Sequence, residues 1–366
     1  MAIKVAINGF GRIGRLVFRS ILEVGAKDIE VVAVNDRTNA ATLAYLLKYD
    51  SNYGVLPYEI SVQANYLCVD VQKVSVLSKR YPPDIPWRDL GVEVVVDATG
   101  KYRSFKKAQM HLKAGAKKVI ISAPPEIYNR QSKLMQIKGR IKNVLQGRGD
   151  TAHNTKQIPV FVIGINEEQY NPRKDHIVSS SSCTVNCAAP IINTIHRAFG
   201  IKAGFITTTH SYSNANCLVD STRGSLRMSR AAGVSIISDY HQVGKDISFI
   251  MPELSGKLIG HMFRVPVSTV SLLELCLQLE KRATKEEVVR ALRKAAEGDL
   301  KEVLGIRCEP LVSVDFKKNP FSAVVDIEFV SCMVNMVRVL SWYDNEWGYA
   351  CRIVDLIKFI ARKQNG

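Results

Sequence analysis

Short apolar runs alternate with stretches of helical period through the first third of the chain. Lys4-Val5-Ala6-Ile7 has strand length, and Leu16, Val17, Phe18, Ile21 and Leu22 then recur at helical spacing. Glu30-Val31-Val32-Ala33-Val34-Asn35 is a second run, Val92-Glu93-Val94-Val95-Val96 a third and Val119-Ile120-Ile121-Ser122-Ala123 a fourth. Residues 104–114 carry a helical pattern between the last two. Continuous apolar strands are buried on both faces, which happens when crossover helices cover a parallel sheet. The pattern predicts an α/β, doubly wound Rossmann-type domain whose ligands lie beyond the strand C-termini.

The second half reads differently. Ser182 is a candidate N-cap, and Ala188, Ile191, Ile192, Ile195 and Phe199 follow at helical spacing. Residues 203–210, 258–265, 269–277, 310–315 and 336–342 read as strands, with a helix over 285–296. This predicts an α+β domain with a mostly antiparallel sheet. A last helix, about 348–363, has Ile353, Leu356, Ile357 and Ile360 on its apolar positions. It is expected to return to the first domain. The predicted division is 1–181, completed by about 346–366, for dinucleotide binding, and 182–345 for catalysis.

Composition narrows the class. With 366 residues and 46% hydrophobic content, the chain can bury two ordinary globular cores. No apolar run reaches membrane-span length, and the first residues enter a strand pattern directly, so neither a membrane role nor a leader is expected. Eight irregularly spaced cysteines suggest neither a disulfide framework nor a metal site. A reducing, cytoplasmic setting fits them. The net charge of +16 favours anionic ligands such as phosphates and nucleotides.

The candidate chemistry sits at the strand ends. Asn8-Gly9-Phe10-Gly11-Arg12-Ile13-Gly14 places Gly-x-Gly-x-x-Gly between strand and helix. Such glycines permit a tight turn, close approach of a pyrophosphate and close packing of the helix. The second run ends at Asp36, where a carboxylate can hold an adenosine ribose. Arg37 and Arg80 lie near the same end; Thr99, Gly100 and Ser122 close the third and fourth runs. In the second half, Cys183 opens the predicted helix and His210 ends a strand 27 residues later. A helix N-terminus and an imidazole both favour thiolate, so this pair predicts an activated nucleophile with its base. The plainer reading of either residue alone is core packing.

These motifs together resemble the phosphorylating glyceraldehyde-3-phosphate dehydrogenase family. The match runs from Ile7 to Arg15 and through Ser181-Ser182-Cys183-Thr184-Val185-Asn186-Cys187 and Thr207-Thr208-Thr209-His210. It continues through Pro252-Glu253-Leu254-Ser255-Gly256-Lys257 and Phe263-Arg264-Val265-Pro266, ending with Ser341-Trp342-Tyr343-Asp344-Asn345-Glu346-Trp347-Gly348-Tyr349. The resemblance implies oxidation of glyceraldehyde 3-phosphate through a thiohemiacetal and a thioester on Cys183, with His210 as base. It implies Asn345 on the nicotinamide carboxamide, with Tyr349 beside the ring. Arg264 and Ser213 would hold the substrate phosphate, and Ser182 and Thr184 the inorganic phosphate. The residues 211–238 resemble the family's long loop at subunit contacts, so a homotetramer is expected.

Three departures bear on function. Tyr240-His241-Gln242-Val243-Gly244-Lys245 stands where the family usually has Ser-Thr-Gly-Ala-Ala-Lys. His241 and Gln242 then either donate to inorganic phosphate or block its site. In the second case water would release a free acid, as in related erythrose-4-phosphate dehydrogenases. Asp36 favours NAD, whereas Arg37 and the absence of Gly-Pro in Asp220-Ser221-Thr222-Arg223-Gly224 leave NADP or dual use open. Finally, about 126–157 is an insertion with seven Lys/Arg and two Asp/Glu. Leu134, Ile137, Ile141, Val144 and Leu145 share one helical face, with Gly147 a candidate C-cap. It reads as a solvated surface helix or as a docking helix for an acidic partner. A non-catalytic paralogue that binds nucleic acid or protein is the competing class.

Overall fold

A computed structural model of the chain describes residues 2–126 and 157–365. The expectations for the insertion, Gly147 included, fall outside the described residues apart from Glu126 and Gln157.

Two sheets organise the described residues. The strands, in chain order, begin with β1 (Ile3–Asn8), β2 (Ile29–Asn35), β3 (Tyr49–Asp50), β4 (Gly54–Val55), β5 (Ile60–Gln63), β6 (Tyr66–Val69) and β7 (Gln72–Leu77). They continue with β8 (Val94–Asp97), β9 (Lys118–Ile121) and β10 (Ile177–Ser179). The first sheet has eight strands in the order β10-β9-β8-β1-β2-β7-β6-β5. Pairing is parallel from β10 across to β7, and β6 and β5 extend the edge antiparallel. The strand order reverses between β1 and β8, so a crevice opens at their C-terminal ends. Val94, Val95 and Val96 have no exposed surface. Burial of β-branched side chains on both faces is why this stretch is a central strand, each contributing about 1.5–3 kcal/mol.

Helix α1 (Arg12–Glu23) follows β1, and α2 (Ala40–Lys48) and α3 (Phe105–Lys113) complete the described helices of this half. The second half opens with α4 (Cys183–Phe199) and β11 (Ile201–Ser211), then β12 (Ile237–His241), α5 (Val243–Ile250), β13 (Leu258–Val265) and β14 (Ser271–Leu279). It closes with α6 (Lys285–Glu297), β15 (Leu304–Arg307), β16 (Ala323–Met333), β17 (Met336–Tyr343) and α7 (Trp347–Asn365). The seven-stranded sheet runs β12-β13-β11-β14-β17-β16-β15. Only β11–β13 and β15–β16 pair parallel, so the sheet is mostly antiparallel as expected.

Side chains from α7, among them Ile353, Leu356, Ile357 and Ile360, share one core with Leu16 and Val17 of α1 and Val5 of β1. A second core joins Ile191 and Ile195 of α4 to Leu273 and Leu275 of β14.

One predicted strand is wrong. Residues 310–315 do not pair; Ser313–Phe316 is instead a 3-10 turn. Asp315 closes it, its N–H donating to the Val312 carbonyl at 3.0 Å and its carboxylate accepting the Val312 N–H at 2.8 Å. Of the segment's apolar residues, Leu311 packs near Phe316, which stacks on Trp342 with ring centroids 5.4 Å apart, while Val312 and Val314 are exposed.

Candidate functional site

The C-terminal ends of the first sheet face α4 and the ends of β11 and β13 across a cleft of about 670 Å³. Gly9 turns the chain out of β1 at φ +91°, and a Cβ there would lie 2.8 Å from Thr99 Cγ2 and 2.9 Å from the Thr99 nitrogen. Only glycine fits both the conformation and the space. A Cβ on Gly14 would overlap the Gly9 carbonyl oxygen, so α1 packs on the turn at a distance that glycine alone permits. Gly11 caps α1 without a side-chain hydrogen bond, and a Cβ built on it meets no atom within 4 Å. The helix N-terminus therefore opens onto free space, the arrangement that receives a phosphate. Asp36 is fixed at the end of β2, its two carboxylate oxygens accepting the Phe10 and Thr38 N–H groups at 3.0 Å each. Backbone donors at a helix start and a carboxylate one strand away fit a dinucleotide.

The cleft brings together most of the predicted residues. Asn8, Gly9, Gly11, Arg12 and Ile13 line its middle, with Asp36, Arg37, Arg80 and Thr99 toward one end. Cys183, His210, Ser213, Arg264 and Asn345 line the other end. The Arg12 guanidinium is already engaged: Nη1 pairs with Asp50 at 2.5 Å and Nε donates to Glu346 at 2.9 Å. What Arg12 offers the cleft is backbone. Lys79, Lys101 and Glu346 also line the cleft and were missed. They lie beside recognised motifs, which was the available signal.

The remaining predicted residues do not line the cleft. The Phe10 ring is buried in the first core, and the Ser122 hydroxyl donates to the Asp97 carbonyl at 3.0 Å. Gly100 is exposed just past Thr99, at φ +67°. Tyr349 does not present its hydroxyl to the cleft; it donates to the Ser181 carbonyl at 2.9 Å and lies 2.7 Å from the Ser180 hydroxyl. It props the turn before Cys183 from beneath.

A buried network under the glycine turn had no sequence signature. Asn8 donates to Asp97 Oδ2 at 2.7 Å, and the Thr99 hydroxyl donates to Asp97 Oδ1 at 2.7 Å. The Trp87 indole lies 3.1 Å from His111 Nδ1. An indole N–H is a donor only, so His111 Nδ1 accepts and its hydrogen is on Nε2. That Nε2–H points at Asp97 Oδ2, 3.1 Å away.

At the reactive end, Cys183 is the first residue of α4, and the Ser182 hydroxyl accepts the Val185 N–H at 3.3 Å. The preceding Ser181 has φ +60°, and its N–H donates to the Ser179 hydroxyl at 3.0 Å. Left-handed backbone at a non-glycine residue is costly and persists where its surroundings over-determine it. Here it aims the thiol out of the helix start. Cys183 Sγ lies 3.5 Å from His210 Nε2. The parallel register pairs His210 of β11 with Arg264 of β13, which sets imidazole and guanidinium side by side. Arg264 Nη1 lies 2.6 Å from His210 Nδ1 and donates to the Ser211 carbonyl at 2.9 Å. Tyr343 completes the floor, with its hydroxyl 2.8 Å from Thr208 and 3.2 Å from Thr184.

Electrostatics works against one expectation. Burial pushes the Cys183 thiol up; the Arg264 cation and hydrogen bonds at the α4 start offset this only in part. Burial, and then Arg264, push His210 down to about 3. Burial thus pushes both groups toward their neutral forms, against the helix end and the Arg264 cation that favour thiolate. His241 is likewise held neutral, pushed down to about 4 by burial and then by Arg264. Its Nδ1 accepts the Val243 N–H at 3.1 Å, so Nε2 carries the hydrogen. His241, Gln242, Ser182 and Thr184 do not line the cleft itself, whereas Ser213 lines it together with Arg264.

Two family descriptions match the chain. Residues 3–105 match the glyceraldehyde 3-phosphate dehydrogenase NAD binding domain, and 182–345 match the C-terminal domain of the same enzyme. The glyceraldehyde-3-phosphate dehydrogenase of Geobacillus stearothermophilus is 44% identical over 366 residues, covering 99% of each chain. The chain belongs to the glyceraldehyde-3-phosphate dehydrogenase family. Glyceraldehyde-3-phosphate dehydrogenase 1 of Bacillus subtilis is also 44% identical over 366 residues, again 99% of each chain. The enzyme of Streptomyces coelicolor is 40% identical over 365 residues, 99% of this chain and 100% of its own. Among the described residues of this family member, no helix is long and apolar enough to cross a membrane.

Proposed function

We propose that the protein oxidises glyceraldehyde 3-phosphate to an acyl phosphate, with NAD and inorganic phosphate as co-substrates. One observation carries the reading: Cys183 Sγ, 3.5 Å from His210 Nε2, lies in the same cleft as the glycine turn and Asp36. Backbone from Gly9 to Ile13, the Asp36 carboxylate and the Asn345 amide would hold NAD. When bound, NAD supplies the hydride acceptor. The Cys183 sulfur bonds to the aldehyde carbon, and its proton passes through His210 to the aldehyde oxygen, which becomes the thiohemiacetal hydroxyl. Backbone N–H groups at the start of α4 face the oxygen that gains charge. His210 then takes the hydroxyl proton as the thiohemiacetal is oxidised to a thioester. A phosphate oxygen attacks the thioester carbon, the carbon–sulfur bond breaks, and Cys183 sulfur is the leaving group.

Arg264 and Ser213 are the donors for the substrate's own phosphate. Arg264 Nε is buried without a partner, which suits a guanidinium that awaits an anion. Ser182, Thr184, His241 and Gln242, outside the cleft lining itself, are the candidates for the second phosphate, where His241 and Gln242 either donate or block. Asp36 favours NAD, since a carboxylate repels a 2′-phosphate. Arg37, Lys79, Arg80 and Lys101 would draw the cofactor's phosphates to that end and leave room for NADP use. The reading assigns 1–181 and the last helix to the cofactor, 182–345 to the chemistry, and places a homotetramer in the cytoplasm. It is tested by formation of reduced nicotinamide from glyceraldehyde 3-phosphate and NAD, with and without inorganic phosphate. Turnover that requires phosphate is expected. Sustained turnover without it would mean that water takes the acyl group, and no turnover would remove the reading.

A further inference from the structure

Asn345 lines the cleft, and its side-chain orientation is decided by two serines behind it. Its Oδ1 accepts from the Ser211 hydroxyl at 3.1 Å and from the Ser271 hydroxyl at 3.0 Å. Ser211 and Ser271 are 0% and 1% exposed. The Ser211 N–H donates to the Ser271 oxygen at 3.2 Å, so that hydroxyl already accepts once and its hydrogen is directed at Asn345. An amide oxygen has two lone pairs, and both are used. The group left to face the cleft is the Asn345 NH2, a donor. It matches the carbonyl of a nicotinamide carboxamide; a reversed amide would offer an acceptor and match the carboxamide nitrogen instead.

Ser211 also joins this clamp to the base. It follows His210 on β11, and its carbonyl lies 2.8 Å from His210 Nδ1. One buried residue thus touches both the holder of the cofactor ring and the group that moves the proton. We propose that Ser211 and Ser271 are positioning residues that fix the flip of the Asn345 amide, and through it the nicotinamide orientation relative to Cys183 and His210. The proposal rests on the dehydrogenase reading above, and its test needs no turnover.

The test measures binding of NAD and of ADP-ribose, which lacks the nicotinamide, to wild type, Ser211→Ala, Ser271→Ala and Ser211→Thr. With the amide free to turn, NAD is expected to bind about tenfold more weakly to each alanine variant, the worth of one neutral hydrogen bond. ADP-ribose is expected to bind all of them like wild type, and Ser211→Thr to restore NAD affinity by returning the hydroxyl. Where the wild type turns over, the alanine variants should lose kcat as well as raise KM for NAD. Equal weakening of NAD and ADP-ribose would show general damage and overturn the proposal, as would unchanged NAD binding. Ser271→Ala strands the Ser211 N–H; if it fails to fold, Ser211→Ala carries the test alone. A wild type that shows this binding difference but does not oxidise glyceraldehyde 3-phosphate would sink the substrate reading and leave the clamp standing.

Discussion

Gly11 and Gly14 belong to one sequence motif, yet alanine at each should fail for a different reason. At Gly14 the added methyl would overlap the Gly9 carbonyl and lie 3.0 Å from Ile7 Cγ2, so α1 has to lift from the turn. Helix propensity gains about 1 kcal/mol from the exchange. Overpacking against backbone costs about 1–3 kcal/mol, and the lifted helix also loosens Leu16 and Val17 from their core. A net loss of about 1–2 kcal/mol is expected, together with weaker NAD binding because the turn moves with the helix. At Gly11, φ is −74°, open to any residue, and the methyl meets nothing within 4 Å. Stability should fall by only about 0.5–1 kcal/mol, since alanine is a poorer N-cap than glycine. The methyl does, however, occupy the space into which the helix N-terminus opens. A pyrophosphate held there would be displaced, with a loss of about 2 kcal/mol or about 30-fold in affinity. Thermal unfolding and calorimetric titration with NAD, run on both variants, separate the two effects. A Gly11→Ala protein that binds NAD like wild type would refute the placement of the pyrophosphate.

Three further outcomes follow from the site. Cys183→Ala should abolish dehydrogenase turnover while leaving NAD affinity within about twofold of wild type; retained turnover would exclude the thioester route. His210→Asn should lower kcat by about 10²–10⁴, the range for a lost general base, with NAD binding intact. Burial raises the Asp246 carboxyl to about 6, above its unfolded value of 3.8. Its ionisation therefore opposes folding above pH 6, and the penalty is relieved as pH falls from about 6 toward 4. Asp246→Asn should stabilise the protein at pH 8 by up to about 3 kcal/mol and make no difference near pH 3, read from denaturant unfolding at both pH values.

Legibility followed the range over which the causes act. The turn from β1 into α1, the start of α4 and the bounds of β13 rest on glycines, a cap and local periodicity, and all could be read from neighbouring residues. The 310–315 segment could not, because Asp315 closes a turn on Val312 and leaves Val312 and Val314 exposed. The β5–β6 hairpin also escaped notice, since strands exposed at a sheet edge carry little apolar pattern. At the site, Cys183 and His210 were found by residue type, but the burial around them was not. The helix end is visible in sequence; the burial that opposes it is made by residues far away in the chain, Tyr343 among them. The same holds for Tyr349, whose motif suggested the cofactor ring but whose hydroxyl went to the Ser181 carbonyl. His111 and Trp87 became visible only once α3 had brought them under Asp97.

The order of synthesis gives α7 a further significance. Every described strand of the first sheet has been translated once Ser179 emerges, but the helix that covers α1 is translated only after the whole second sheet. Until then the nascent Rossmann half presents the apolar positions of α1 without their cover. Its final closure has to wait for the second sheet to be made. A release-arrested chain that stops before Trp347 should accordingly recruit chaperones, and the cell's cost of an early stop codon would be an aggregation-prone cofactor half rather than a smaller working one.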